Sequence, residues 1–183
     1  MRIVAGKFGS RRLESVPGQT TRPTSDKVKG AIFSSLGGSF ENGRILDCYS
    51  GTGNIALEAL SRGMNQAVCV DQDHRAVKVI RANARALGVE SQVQIIKANI
   101  FSALDQMNVP FDLVYIDPPY QKEQNVKLLE TLARLDLVCE EGMVVVESLS
   151  TQSFPEEIGH FMKEREKIYR NTKITYYRKE TKK

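Results

Sequence analysis

Three cysteines and two histidines are all the thiol and imidazole groups that this chain carries. Cys48, Cys69 and Cys139 are widely spaced and odd in number. That excludes a disulfide framework and a cysteine zinc cluster, and it suits a reducing cytoplasm. All three read as small buried hydrophobes. His74 and His160 have no partner visible in sequence and read as surface or helix-end residues. No metal site is expected. No stretch of about 18 apolar residues is present, and no signal-peptide pattern opens the chain, so no membrane association is expected. There is no internal repeat, no low-complexity segment and no P-loop lysine, which sets aside a nucleoside triphosphatase.

What remains is the composition of an ordinary soluble protein, 41% hydrophobic and 26% charged over 183 residues. That is enough chain for one domain with its own core. The net charge of +4 is unevenly spread. Residues 1–30 carry a net of +5 and residues 161–183 a net of +6, which leaves the body between them at −7. Two basic ends around an acidic body favour a polyanionic partner, because cations release the counterions condensed on a phosphate backbone.

Residues 2–16 read as a hairpin or extended arm, with Ile3, Val4, Leu13 and Val16 as its apolar positions. Gly6 and Gly9 break the run, and Lys7, Arg11 and Arg12 surround the turn. Residues 17–23 form a loop, and a helix starts at a Thr24 or Ser25 cap, with Val28, Ile32, Ser35 and Leu36 on one face. The boundary is drawn there: residues 1–23 as arm and loop, residues 24–183 as one compact domain. From Arg44 onward, strands alternate with helices. Strands are expected at 45–48, 67–70, 93–96, 111–116, 143–147, 167–169 and 173–177. Helices are expected at 53–62, from the Asp73 cap to Gly88, at 100–104 and near 125–135. Such alternation implies βαβ units and a mostly parallel sheet, with an antiparallel terminal hairpin.

Two stretches carry chemistry. The first is Asp47-Cys48-Tyr49-Ser50-Gly51-Thr52-Gly53-Asn54, which leaves the first strand and opens a helix. Its glycines let backbone approach a ligand, and the helix N-terminus favours an anionic group. Asp71 ends the second strand, 18 residues after Gly53, where an acid hydrogen-bonds a ribose diol. The third glycine of a dinucleotide fingerprint is replaced by Ala56.

The second stretch is Asp117-Pro118-Pro119-Tyr120, directly after the strand 111–116. Two prolines cannot continue a ladder, so the strand stops at a stiff corner. The Asp117 carboxylate and the Pro118 carbonyl can accept hydrogen bonds from an amino group, and Tyr120 can stack on a planar ring. A tight turn with an exposed carboxylate is the plain alternative. No cysteine stands beside this corner, which sets aside methylation of a pyrimidine carbon-5.

Asp47 with Gly51 and Gly53 resembles the first motif of class I S-adenosylmethionine-dependent methyltransferases. Over nearly its whole length the chain resembles the RsmD-type methyltransferases. The matching stretches are Arg2 to Lys7 with Gly9 and Arg11-Arg12-Leu13, Arg22 to Lys29, Leu46 to Gly53, Leu57 to Gly63, and Asp117 to Tyr120. The resemblance implies a Rossmann-like α/β fold, a mostly parallel seven-stranded sheet with one antiparallel strand in its edge region and an N-terminal β-hairpin arm. It implies S-adenosyl-L-methionine as cofactor and methylation of the exocyclic N2 of a guanine in 16S ribosomal RNA, presented within an assembling small subunit in the cytoplasm. A monomer is expected. By position, Asp47, Ser50, Gly51 and Gly53 would contact the cofactor's methionine part, Asp71 its ribose and Asn99 its adenine. Asp117, Pro118, Pro119 and Tyr120 would hold the guanine. Arg2, Lys7, Arg11 and Arg12 are the expected phosphate contacts, with Arg22 at the substrate mouth. Adenine N6 methylation of DNA or another RNA, and a non-catalytic RNA-binding assembly factor, are the alternative readings.

Overall fold

A computed structural model describes residues 1–18, 24–119 and 122–181, with the side chains of Lys122 and Glu123 outside that description. The chain divides into two units, Met1–Ile100 and Phe101–Lys183.

In the first unit the arm leads into α1 (Asp26–Ser35), whose Ser25 cap accepts the Val28 amide at 3.2 Å. Then come β1 (Arg44–Asp47), α2 (Asn54–Ser61), β2 (Gln66–Asp71), α3 (His74–Ala86) and β3 (Val93–Lys97). The three strands lie in the order β3-β2-β1, all parallel. Asp73 caps α3 by accepting the Arg75 amide at 2.8 Å, an acid at the positive end of the helix dipole. The apolar face Ala76, Ile80, Ala84 and Leu87 is buried, as its spacing predicts. Helix α2 is different, because all eight of its residues are buried, including Asn54, Glu58 and Ser61. A helix buried all round must find partners for its polar members, and here the arm supplies several of them.

Helix α1 also departs from its expected face. Ser35 is exposed, and the buried positions are Lys29, Ile32 and Phe33. A buried lysine carries no apolar signal, so the stripe could not be placed from spacing.

The second unit holds α4 (Ile100–Leu104), which begins at the boundary, and β4 (Phe111–Ile116), both with the expected bounds. It continues with α5 (Lys122–Arg134), β5 (Val138–Leu149), β6 (Glu157–Ile158), β7 (Phe161–Tyr169) and β8 (Thr172–Lys179). The strand order is β4-β5-β8-β7-β6. Strands β4 and β5 are parallel, and β8 pairs antiparallel with both β5 and β7. Buried Val144, Val145, Val146, Ile174, Tyr176 and Tyr177 make its core. The seven expected strands are all present. The eighth, β6, is only two residues long, too short to leave a periodic signal. The fold is the Rossmann-like α/β fold with a mostly parallel sheet.

The arm is a short hairpin. An antiparallel bridge joins Arg2 and Arg12, the Ile3 amide donates to the Arg11 carbonyl and the Ser10 amide to the Ile3 carbonyl, each at 2.9 Å, and the Leu13 amide donates to the Met1 carbonyl at 3.0 Å. Docking holds it further. Val4 and Ala5 donate their amides to the two Glu58 oxygens at 2.8 and 3.1 Å. The Phe8 amide donates to the Ser61 hydroxyl at 2.9 Å, and that hydroxyl donates to the Ala5 carbonyl at 2.7 Å. Gly6 sits so close to α2, at φ +88°, that a Cβ would lie 2.1 Å from the Ser61 carbonyl oxygen. No residue but glycine fits there.

Candidate active site

Strands β1 and β2 run parallel with Asp47 opposite Cys69, so Asp47 and Asp71 both leave the carboxyl edge of the sheet in the first unit. Ligands of open α/β sheets bind at that edge. Asp47 is 2% exposed. It accepts the Ser50 hydroxyl at 3.0 Å and a backbone bond from Ala56 in the first turn of α2. Both groups that Asp47 engages therefore belong to the loop and the helix start, and they fix the path of residues 47–56. Burial, with the Asp71 charge adding to it, pushes the Asp47 carboxyl up to about 7, against the Ser50 and Ala56 bonds that favour its ionised form.

Asp71 accepts the Gly51 amide on one oxygen and the Asp73 amide on the other, each at 2.9 Å. Burial raises its carboxyl above the usual range, and these two bonds oppose the rise. With the Gln72 amide as a third backbone donor, the carboxylate still keeps lone-pair capacity for a hydroxyl donor. Gly51 has φ +59°, and a Cβ on it would meet nothing within 4 Å, so space opens beside the loop. Gly53, at φ +82°, is the N-cap of α2 and brings no side-chain acceptor to it. An open glycine loop, a helix start whose cap residue has no side chain and an acid at the next strand end together suit a ligand with an anionic group and a diol. Ser50 is buried and serves Asp47. Asn99 is exposed, immediately ahead of α4.

In the second unit the corner after β4 has the expected form. Ile116 is fully buried, Asp117 and Pro118 are half-buried and Pro119 is exposed. The strand thus ends where the prolines begin, and the acid is carried from the core to the surface within one residue. Beside it, the Tyr115 hydroxyl of β4 donates to the Glu147 carboxylate of β5. Spacing gave no sign of this pair, since Tyr115 reads as one more buried aromatic of a strand. Tyr120 and Arg22 lie outside the described residues.

The expected phosphate contacts of the arm, Arg2, Lys7, Arg11 and Arg12, are all exposed, and three of them also have partners within the chain. Arg2 pairs with Asp26 at 3.0 Å. Arg11 donates to the Ala86 carbonyl at the end of α3 at 2.6 Å, and Lys7 lies over the Phe8 ring at 5.8 Å. Arg12 is exposed. The cysteine expectation holds for Cys48 and Cys69, which are buried, whereas Cys139 is half-exposed at the start of β5. Among the described residues no helix is long and apolar enough to cross a membrane.

The residues that sequence reasoning missed lie under the arm. Lys29 and Glu58 are both fully buried, 3.1 Å apart, and Arg62 reaches the other Glu58 oxygen at 2.8 Å. The Lys29 ammonium also donates to the Arg2 carbonyl at 2.5 Å and to Asn54 Oδ1 at 2.6 Å. Burial lowers the Lys29 ammonium below the usual lysine range, against the opposing pull of Glu58. The available signal was a charge on α2 between apolar neighbours on every side.

Comparison with known proteins gives a consistent family. The family model described as Conserved hypothetical protein 95 matches residues 1–178. The Bacillus subtilis protein YlbH is 35% identical, over 98% of this chain and 99% of its own. Ribosomal RNA small subunit methyltransferase D of Escherichia coli is 28% identical, over 98% of this chain and 90% of its own. Among solved structures, yhhF of Escherichia coli superposes with a TM-score of 0.86 at 27% identity, covering 100% of this chain and 99% of that one. An RNA methyltransferase from Salinibacter ruber in complex with S-adenosyl-L-homocysteine shares the fold, with a TM-score of 0.68 at 20% identity over 88% of this chain and 95% of its own. With the family model spanning nearly the whole sequence, the chain belongs to the family of ribosomal RNA small subunit methyltransferase D.

Proposed function

We propose that this protein is an S-adenosylmethionine-dependent methyltransferase of ribosomal RNA, acting on the exocyclic N2 of a guanine in the 16S RNA of an assembling small subunit. The observation that carries the reading is the half-buried Asp117 followed by two residues without N–H, on the end of a buried strand. Family membership supports it, and so do the names of the relatives.

The first unit supplies residues that fit the cofactor. The open side of Gly51 and the start of α2 suit its carboxylate, and Asp71 suits its ribose hydroxyls. Asn99 is assigned to its adenine. Asp47 and Ser50 hold the loop in shape from beneath. When bound, S-adenosylmethionine supplies an electrophilic methyl group.

The chain's own part is to aim a poor nucleophile. The lone pair of a guanine amine is delocalised into the ring. Asp117 and the Pro118 carbonyl accept hydrogen bonds from the two N–H groups, which draws the nitrogen toward tetrahedral geometry. They also stabilise the positive charge that grows on nitrogen until a proton leaves. Orientation and electrostatic stabilisation of this kind are worth several kcal/mol. Tyr120 is assigned to stacking on the base, worth about 1–3 kcal/mol. The base must leave its stack to reach the corner. Arg2, Lys7, Arg11 and Arg12 are assigned to phosphates, Arg22 to the substrate mouth, and the protein to the cytoplasm as a monomer.

The test uses small subunits from cells lacking the gene. Incubation with the purified protein and labelled S-adenosylmethionine should produce N2-methylguanosine by mass spectrometry. Asp117→Ala should lower transfer by about 10²–10³-fold while retaining S-adenosylhomocysteine binding. N6-methyladenosine as the product would replace the guanine reading. RNA binding without any transfer would leave an assembly factor.

A further inference from the structure

Asn83 has no part in the transfer described above, yet it is 1% exposed and fully engaged. It lies on α3. Its Oδ1 accepts the Glu14 amide at 2.8 Å, and its Nδ2 donates to the Glu14 carbonyl at 3.2 Å and to the Thr52 carbonyl at 2.9 Å. Only one orientation of the amide satisfies all three, since the flipped group would face two carbonyls with an oxygen. The two bonds to Glu14 copy what a neighbouring strand would offer that residue. The third bond reaches between the two glycines of the loop.

A second tie runs parallel to it. Thr52 precedes Gly53 and Asn54 follows it. Asn54 accepts from Lys29, which also holds the Arg2 carbonyl. The Thr52 hydroxyl donates to Met1 Sδ at 3.2 Å. Residues on both sides of Gly53 are therefore bonded, directly or through one buried side chain, to both legs of the basic arm.

We propose that Asn83 is a positioning residue that couples the basic arm to the glycine loop. Ligand in the loop fixes the Thr52 carbonyl, Asn83 follows it, and the Glu14 leg of the arm closes on Asn83. Binding free energies are reciprocal, so a polyanion that orders the arm tightens the loop for its ligand by the same factor. The inference rests on the reading that the loop holds S-adenosylmethionine or its product, and that the arm meets RNA.

Hydrogen exchange on the full chain tests it, with S-adenosylhomocysteine as probe. The Ile3 and Leu13 amides bond to Arg11 and Met1 carbonyls within the arm and touch no loop residue. In the wild-type chain, saturation with the probe should slow both amides by about tenfold, a coupling of ordinary size. In Asn83→Ala the probe should still bind, and the slowing should fall below about twofold. Val145→Ala, a fully buried site on β5, gives a chain weakened elsewhere, and it should keep the wild-type slowing. Should Asn83→Ala fail to fold, Glu14→Pro removes the N–H from the arm side and should give the same loss. A wild-type chain that binds the probe without slowing the arm overturns the coupling and leaves the methyltransferase reading standing. Equal slowing in Asn83→Ala overturns the role of Asn83. A wild-type chain that fails to bind the probe overturns both the loop reading and this inference.

Discussion

The two basic ends of the chain look alike in a charge count and behave differently in the fold. At the N-terminal end, Lys29 is fully buried and shares Glu58 with Arg62. At the C-terminal end, the side chains of Lys163, Lys173 and Lys179 are 9%, 11% and 7% exposed. They meet Glu156, Glu166, Asp136 and Glu140, carboxylates that solvent reaches. In the first case the charges have no water to fall back on. In the second, solvent screens each pair. The lesson is that a local count of lysines and arginines overstates the cations available to a polyanion. In the arm the remainder is mainly Arg12 and the exposed parts of Arg2, Lys7 and Arg11.

The largest expected effect breaks the buried side of this contrast. Glu58→Ala removes the acceptor of Val4, Ala5, Lys29 and Arg62 at once. It should cost about 3–5 kcal/mol by chemical denaturation, because two buried cations are left unpaired. A loss below about 1 kcal/mol would put this cluster on a level with a surface pair. The arm should also become an early site of proteolysis.

Asp47 sharpens the contrast as a buried carboxylate whose hydrogen-bond partners are a hydroxyl and a backbone amide. Its folded pKa, about 7, stands above the ordinary aspartate value of 3.8. The native state thus keeps a proton that the unfolded chain has lost between these values. Its contribution to stability is present below about pH 4 and is lost as pH rises to about 7. Asp47→Asn should flatten that part of the stability–pH curve, read as thermal midpoints from pH 4 to 7. An unchanged slope would place the dependence on another group.

On the screened side the effects should be smaller. Lys179→Ala should cost about 1 kcal/mol, since its ammonium also donates to the Val138 carbonyl at 2.9 Å. Arg178→Ala, whose Glu164 partner is exposed, should change stability by no more than about 0.5 kcal/mol. A value as large as that for Glu58→Ala would erase the distinction between the two ends.

Much of the fold was legible because its signals are local. Helix α4 and strand β4 have the bounds that pattern alone assigns, and Ser25 and Asp73 cap the helices they precede. The glycine loop and the Asp117 corner were legible for the same reason, since each is a contiguous run of special residues. What stayed hidden is non-local. Glu58 meets Val4 across 54 positions and Asn83 meets Glu14 across 69, and nothing in either segment announces the other. Strand β5 begins earlier than its valine run because Glu141, at φ +64°, and Gly142 interrupt it with a bulge. A charged residue facing inward, such as Lys29, reads as surface until its partner is known.

The Gly6 contact and the Glu58 clamp have a consequence for the birth of the chain. The arm emerges from the ribosome ahead of its partners Glu58, Ser61 and Asn83, which are translated roughly 50 to 80 residues later, several seconds at ordinary elongation rates. An isolated two-stranded hairpin is marginally stable at best in water, so the arm is not held firmly meanwhile. A segment synthesised ahead of its partners therefore waits for them to take its place, and it closes over α2 as a finishing step.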